Sequence, residues 1–309
     1  TSSRPKIDFN PYLSFSTSYR TSTVLEIMSG EKKTILAFDA YGTLLSTESI
    51  AKKLSSHFGQ EKAQTIAATW RKYQLEYTWR LNSMSTPSIK PQSYQCTAPS
   101  TQSSINSWFN ASLLTQLADI YEDFSKVTLR SLRHALAESS VSLEQDDIDD
   151  LMKAYDSLSI FPDVAPALEA IAKQSNFYPV VFSNGTHTMV SNSVNKSPDL
   201  SKHASTFKDI VVVEEPKRFK PTPESYTHLA KTVGKDPSSK EDMASMWLIS
   251  GNPFDVVGAR AVGMQACWVD RAGNGWQDGL LEGEIGRPTV IVSSLEEVPS
   301  KVSGVLPVQ

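Results

Sequence analysis

Short apolar runs alternate along this chain with longer segments whose apolar residues recur every three or four positions. Ile35-Leu36-Ala37-Phe38 is the first run, of the kind a strand buried on both faces of a parallel sheet requires. From 48 to 82 the pattern is helical, with Ile50, Leu54 and Phe58, then Ile66, Trp70, Tyr73 and Tyr77, and a break near Gly59. A second helical stretch spans 105–137 through Leu113, Leu117, Ile120, Phe124, Val127 and Leu132. Ser142-Leu143-Glu144-Gln145 has the capping-box form and predicts a third helix reaching Leu158.

Beyond that point strands and helices alternate. Strands are predicted at 177–182, 210–213, 246–249, 265–269 and 289–293. Helices are predicted between them, one opened by Lys220-Pro221-Thr222-Pro223, where a proline in the first turn loses no hydrogen bond. Such alternation implies right-handed crossovers and a sheet covered on both sides. The predicted fold is α/β: a Rossmann-like parallel-sheet core from 31–46 and 159–309, with a helical cap inserted at 47–158. Residues 83–104, rich in Ser, Thr, Pro and Gln, read as a surface interruption of the cap. Residues 1–30, rich in Ser and Thr, read as a disordered extension.

Composition narrows the function classes. Apolar and charged fractions of 39% and 21% are ordinary for a globular protein, and a net charge of −4 offers no footprint for nucleic acid or anionic membrane. No apolar run approaches the roughly 18 residues of a membrane span. Two cysteines, Cys96 and Cys267, make no disulfide framework, so a reducing, cytoplasmic setting is expected. The five histidines show no metal-ligand spacing.

Three strands stop at polar clusters: Asp39 with Thr43, Ser183 with Asn184, and Ser250 with Asn252 and Asp255. Lys220 lies between the second and third. In an open parallel sheet these groups gather at the carboxyl edge, where reactive groups of such folds sit. Taken alone, Asp39 could be a nucleophile, a metal ligand or a turn residue.

The order of these residues resembles the haloacid dehalogenase superfamily. FDAYGTL (38–44), WRKYQLEYTW (70–79), SNGT (183–186), KPTPESY (220–226) and SGNPFDVVGARAVGMQACWVDR (250–271) are similar to segments of its type II L-2-haloacid dehalogenases. Phosphatases of the superfamily carry a second Asp two residues after the nucleophile, to protonate the leaving alcohol, and paired carboxylates for Mg²⁺. Here those places hold Tyr41 and Asn252. A departing halide needs neither proton nor metal, so the resemblance implies metal-independent carbon–halogen cleavage without a cofactor.

It also implies roles. Asp39 would be the nucleophile, and Lys220 the cation that keeps Asp39 and Asp255 ionised. Asp255, Ser250 and Asn252 would orient the hydrolytic water, with Thr43 beside the nucleophile. Arg71 and Asn184 would meet the halide, and Ser183 with the backbone after it would hold the substrate carboxylate. Tyr41, Phe124 and Phe254 would wall the reacting carbon, with Tyr226 nearby. Small 2-haloacids are the implied substrates, and a homodimer the implied assembly. A Mg²⁺-dependent phosphatase of the same superfamily and a non-catalytic binding relative are the alternatives.

Overall fold

The computed structural model describes residues 33–84 and 120–305 of the chain. Its centre is β1 (Thr34–Phe38), flanked by β2 (Phe177–Ser183) and, beyond it, β3 (Asp209–Val212). On the other side stand β4 (Met246–Ser250), β5 (Gln265–Val269) and β6 (Val290–Val292). The order is β3-β2-β1-β4-β5-β6, and every neighbouring pair is parallel. β2, β4 and β5 are buried at every position because helices cover both faces, which explains why they are written as unbroken apolar runs. The edge strands β3 and β6 are partly exposed.

Between β1 and β2 run α1 (Ser49–Phe58), α2 (Gln60–Met84), α3 (Phe124–Glu138) and α4 (Gln145–Tyr155), followed by α5 (Val164–Ala172). Gly59 divides α1 from α2 at φ +75°, a conformation that penalises any Cβ, and its N–H closes α1 on the Ser55 carbonyl. The seam of α2 with α3 includes a buried polar chain. Trp70 Nε1 donates to the Thr128 carbonyl at 2.8 Å, Gln74 Nε2 to Thr128 Oγ1 at 3.0 Å, and Tyr155 OH to Gln74 Oε1 at 2.7 Å. Each buried polar group thereby keeps a partner, without which desolvation would cost about 1–3 kcal/mol. Among the described residues the remaining α-helices are α6 (His187–Lys196), α7 (Pro223–Thr232), α8 (Lys240–Ala244), α9 (Pro253–Ala261) and α10 (Val298–Ser303).

The two passages between sheet and helical layer lie side by side. Ser46 N–H donates to the Ser159 carbonyl at 2.8 Å, and Phe161 N–H to the Leu44 carbonyl at 3.3 Å. Arg271, just after β5, forks onto the Asp163 carboxylate, donates to the Thr43 carbonyl at 2.8 Å and stacks over the Phe161 ring. Both passages are therefore tied to the edge of the sheet.

Three local expectations are corrected. Of the helix predicted over 105–137, residues 105–119 lie outside the described residues, 120–123 are not helical, and α3 begins at Phe124, where Asp123 turns its carboxylate back to the Lys126 N–H at 2.9 Å and caps it. The Ser142–Gln145 capping box does not form. Glu144 takes the extended N-cap position, α4 opens on Gln145, and Gln145 spends its amide on Asp149 while accepting from Arg133. That helix ends at Tyr155, short of Leu158. Lys220 does not open a helix: α7 starts at Pro223, and the Lys220–Pro221 peptide is cis. The predicted extension at 1–30, Cys96 and residues 85–104 of the interruption lie outside the described residues.

Close packing of α9 on α7 can be tested at Gly258, where a Cβ would stand 2.4 Å from Tyr226 OH and 2.5 Å from Pro221 Cβ. Alanine gains roughly 1 kcal/mol of helix propensity, whereas overpacking against two such neighbours costs about 1–3 kcal/mol. Gly258→Ala is expected to lower the urea midpoint with an unchanged m-value. A raised midpoint would show that the two helices are not in contact there.

Candidate active site

Register alone assembles the polar strand ends. Phe38 pairs with Val181 on β2 and with Ile249 on β4, so Asp39, Ser183 and Ser250 emerge within about one residue of the same level. Asp39 N–H still donates to the Ile249 carbonyl at 3.0 Å, which extends the ladder one residue beyond the strand. The chain then turns through Gly42 at φ +87°, and Thr43 folds back so that its hydroxyl donates to Asp39 Oδ2 at 3.0 Å. Thr43 Oγ1 in turn accepts the Gly251 N–H at 2.9 Å. This hydroxyl joins the loop after β1 to the loop after β4.

Lys220 is the centre of charge. It is 1% exposed, and its Nζ donates to Asp39 Oδ1 at 2.8 Å, Asp255 Oδ2 at 2.6 Å and the Phe182 carbonyl at 3.0 Å. An ammonium has three N–H groups, and all three are used. The Nζ also lies 4.6 Å from the Phe182 ring centroid, over a face that attracts cations. Burial pulls the lysine toward its neutral form, but Asp255 and Asp39 outweigh burial and hold its pKa above the ordinary value. Asp255 is fully buried. Burial raises its pKa against the pull of Lys220, and the Asp39 charge adds to the rise. Two carboxylates sharing one ammonium leave the cluster one negative charge in excess.

Asp39 is 5% exposed. Its Oδ2 accepts from Asn252 Nδ2 at 2.7 Å as well as from Thr43, so both oxygens hold donors. Asn252 also donates to the Tyr41 carbonyl at 2.9 Å. Arg71, reaching over from α2, donates to that same carbonyl and to Asn252 Oδ1, each at 3.3 Å. A cavity of about 900 Å³ between α1 and α2, with Thr47, Lys52 and Gln64 in its wall, reaches Arg71.

Other predicted residues support the site from behind. Ser183 Oγ accepts the Gly185 N–H at 3.0 Å, Ser250 Oγ accepts the Asn252 N–H at 3.1 Å, and both serines are fully buried. Asn184 Oδ1 accepts the Lys220 backbone N–H at 2.8 Å. Tyr226 was expected near the nucleophile. It stands behind Asp255, donating to Asp255 Oδ1 at 2.6 Å, and has no exposed surface. The clash-free space that Gly258 leaves admits it there.

An aromatic wall rises over the loop after β1. The Tyr41 ring stacks on Phe124 at 5.6 Å and tilts against Tyr155 at 5.4 Å, and Phe124 meets Phe219 at 6.3 Å. The Tyr41 hydroxyl is buried without a hydrogen-bond partner among the described residues, and burial raises its pKa well above the ordinary phenol value. Phe254 packs edge-to-face on Trp79 of α2. Tyr155, Phe219 and Gln74 complete this surround, although strand-end reasoning did not select them. For Gln74 a signal existed, since it falls on the apolar face of α2, four residues after Trp70, where an amide must find a partner.

Among the described residues no three His, Cys, Asp or Glu side chains cluster as a metal site, and no helix is long and apolar enough to cross a membrane. The sequence matches the family described as haloacid dehalogenase-like hydrolase over residues 33–263. It is 28% identical over 239 residues to the (S)-2-haloacid dehalogenase H-109 of Pseudomonas putida, covering 77% of this chain and 86% of that one. It is 26% identical over 238 residues to haloacetate dehalogenase H-2 of Moraxella sp. (strain B), with the same coverage. The fold is similar to that of the L-2-haloacid dehalogenase of Xanthobacter autotrophicus, with a TM-score of 0.66 and 23% identity over 89% of this chain and all of that one.

Burial, with Asp255 second, raises the pKa of Tyr226, as burial raises that of Tyr41, and the two carboxylates raise that of Lys220. All three hold protons in the folded state at a pH where the unfolded chain releases them. Their contributions are therefore complete below about pH 10 and are lost as pH rises toward the folded values. Unfolding free energy is expected to fall steeply above about pH 10. Tyr226→Phe should flatten that slope by about 1.4 kcal/mol per pH unit, read from urea melts. An unchanged slope would mean that the hydroxyl is not held in the folded protein.

Proposed function

This chain belongs to the haloacid dehalogenase-like hydrolase family, and we propose that it is an (S)-2-haloacid dehalogenase. It converts small L-2-haloalkanoic acids to D-2-hydroxy acids through an ester on Asp39. The observation that carries this reading is the surround of Asp39: a carboxylate with donors on both oxygens, overlooked by the Tyr41 aromatic wall. The position two residues beyond Asp39, where a phosphatase would present a second carboxyl group, holds that buried tyrosine. The relatives are named as haloacid dehalogenases, which supports the same reaction class.

In the first step a carboxylate oxygen of Asp39 attacks C2 of the substrate from the side opposite the halogen. The carbon–halogen bond breaks, the halide leaves with the electron pair, and the centre inverts. Arg71 and Asn184 offer the donors that receive the halide. Ser183 orients the loop whose N–H groups lead into α6 and suit the substrate carboxylate. In the second step a water gives its proton to Asp255 as its oxygen bonds to the ester carbonyl carbon of Asp39. The bond from that carbon to the substrate oxygen then breaks, the departing alkoxide takes the proton from Asp255 to give the 2-hydroxy acid, and Asp39, regenerated as the acid, releases its proton to solvent. Lys220 stays paired throughout, first with Asp39 and Asp255 and then with Asp255 alone when Asp39 is esterified. We take helices α1 to α4 as the cap that keeps bulk water from the ester.

With L-2-chloropropionate, excess chelator and heavy-oxygen water, chloride release is expected, with label entering the Asp39 carboxylate over many turnovers. Label appearing directly in the first-turnover product would refute the ester mechanism. Asp39→Asn should lower steady-state turnover on the order of 10⁴-fold or more while the circular dichroism spectrum is retained.

A further inference from the structure

Asn82, in the last turn of α2, treats the backbone of Phe219 as a neighbouring strand would. Its Nδ2 donates to the Phe219 carbonyl at 2.9 Å, and its Oδ1 accepts the Phe219 N–H at 3.0 Å. Phe219 is fully buried and immediately precedes Lys220. The next backbone N–H, that of Lys220, is taken by Asn184 Oδ1. Two asparagines therefore hold two successive peptide groups, one from the helical layer and one from the loop after β2. The Phe219 ring is fixed as well, stacked on Tyr121 at 5.3 Å and against Phe124.

The spacing along α2 links this clamp to the rest of the site. Arg71 lies eleven residues before Asn82. At about 100° per residue that is within about 20° of three full turns, so both project from one face, about 16 Å apart along the axis. One end of the face grips the Tyr41 carbonyl and Asn252, and the other grips the peptide before the central lysine. We propose that Asn82 is a positioning residue for Lys220. It docks α2 on the 219–220 segment and thereby sets the backbone from which Nζ reaches both carboxylates. No substrate contact is assigned to it. The kinetic consequence rests on the dehalogenase reading; the state of the lysine does not.

The test uses the full chain with Asn82→Ala and Asn82→Asp, the second keeping the shape and the acceptor but losing the donor. Both should lower kcat on the order of 10- to 100-fold, as a misplacement of about 1 Å near the chemistry does, with a smaller change in KM. A lysine held less firmly stabilises its carboxylates less, so the acid limb of kcat/KM should move to higher pH. Asn82→Gln, which retains both amide groups, should recover part of the rate. Independently of turnover, Lys220 should be protected from acetic anhydride in the native protein and acetylated in both variants, as read by peptide mass mapping. If the alanine variant does not fold, the aspartate variant decides. If the native protein turns over no haloacid, the dehalogenase reading fails and the labelling still decides the role of Asn82. Native-like kcat, pH profile and lysine protection in a folded variant would overturn the proposal.

Discussion

Everything at the carboxyl edge of the sheet depends on one ammonium buried among protein acceptors. Bringing Lys220 and two carboxylates into the interior costs several kcal/mol per ion. At an effective dielectric of 20, an ion pair at its 2.8 Å contact returns about 6 kcal/mol. Every donor of the ammonium is used against that cost, on Asp39 after β1, on the Phe182 carbonyl of β2 and on Asp255 at the start of α9. These acceptors come from three neighbouring segments of the sheet edge. A one-residue slip of β4 would carry Asp255 away from the ammonium, and a slip of β2 would carry away the Phe182 carbonyl. The register of the core and the electrostatics of the site are thus the same constraint.

The helical layer adds what the sheet lacks. Arg71 brings a second cation to the loops after β1 and β4, and Tyr41, Phe124, Tyr155 and Phe219 provide an apolar surround. A low-polarity surround strengthens each charge interaction within it. Asp39 thus stands with donors on both of its oxygens and aromatic rings over the loop that follows it. The orphaned hydroxyl of Tyr41 belongs to the same economy, because a phenol with no acceptor stays neutral beside the anionic cluster.

Legibility in the sequence followed the kind of interaction. Asp39 and Asp255 could be found because a buried strand ends abruptly just before each, and Lys220 because a cation falls between the second and third polar clusters. Thr43 and Asn252 could be found as their close neighbours. Tyr226 was placed in the right region without a partner, since a helix position indicates a face and not which carboxylate the hydroxyl meets. The capping box at Ser142 failed because its four letters also fit an extended N-cap at Glu144. Asn82 and Phe219 carried no local signal at all: they are 137 positions apart, and neither is unusual where it stands.

By itself, the sequence determined the alternation of elements, the parallel sheet and the residues that must stand at its carboxyl edge. Those follow from period and burial, which are local. Tertiary structure decided which groups touch: that Lys220 lies between two carboxylates, that Tyr226 braces one of them, and that α2 reaches the lysine segment through Asn82. Contacts of this kind depend on how helices separated by a hundred residues settle on a sheet. Packing sets that geometry over the whole molecule, and no short stretch of sequence contains it.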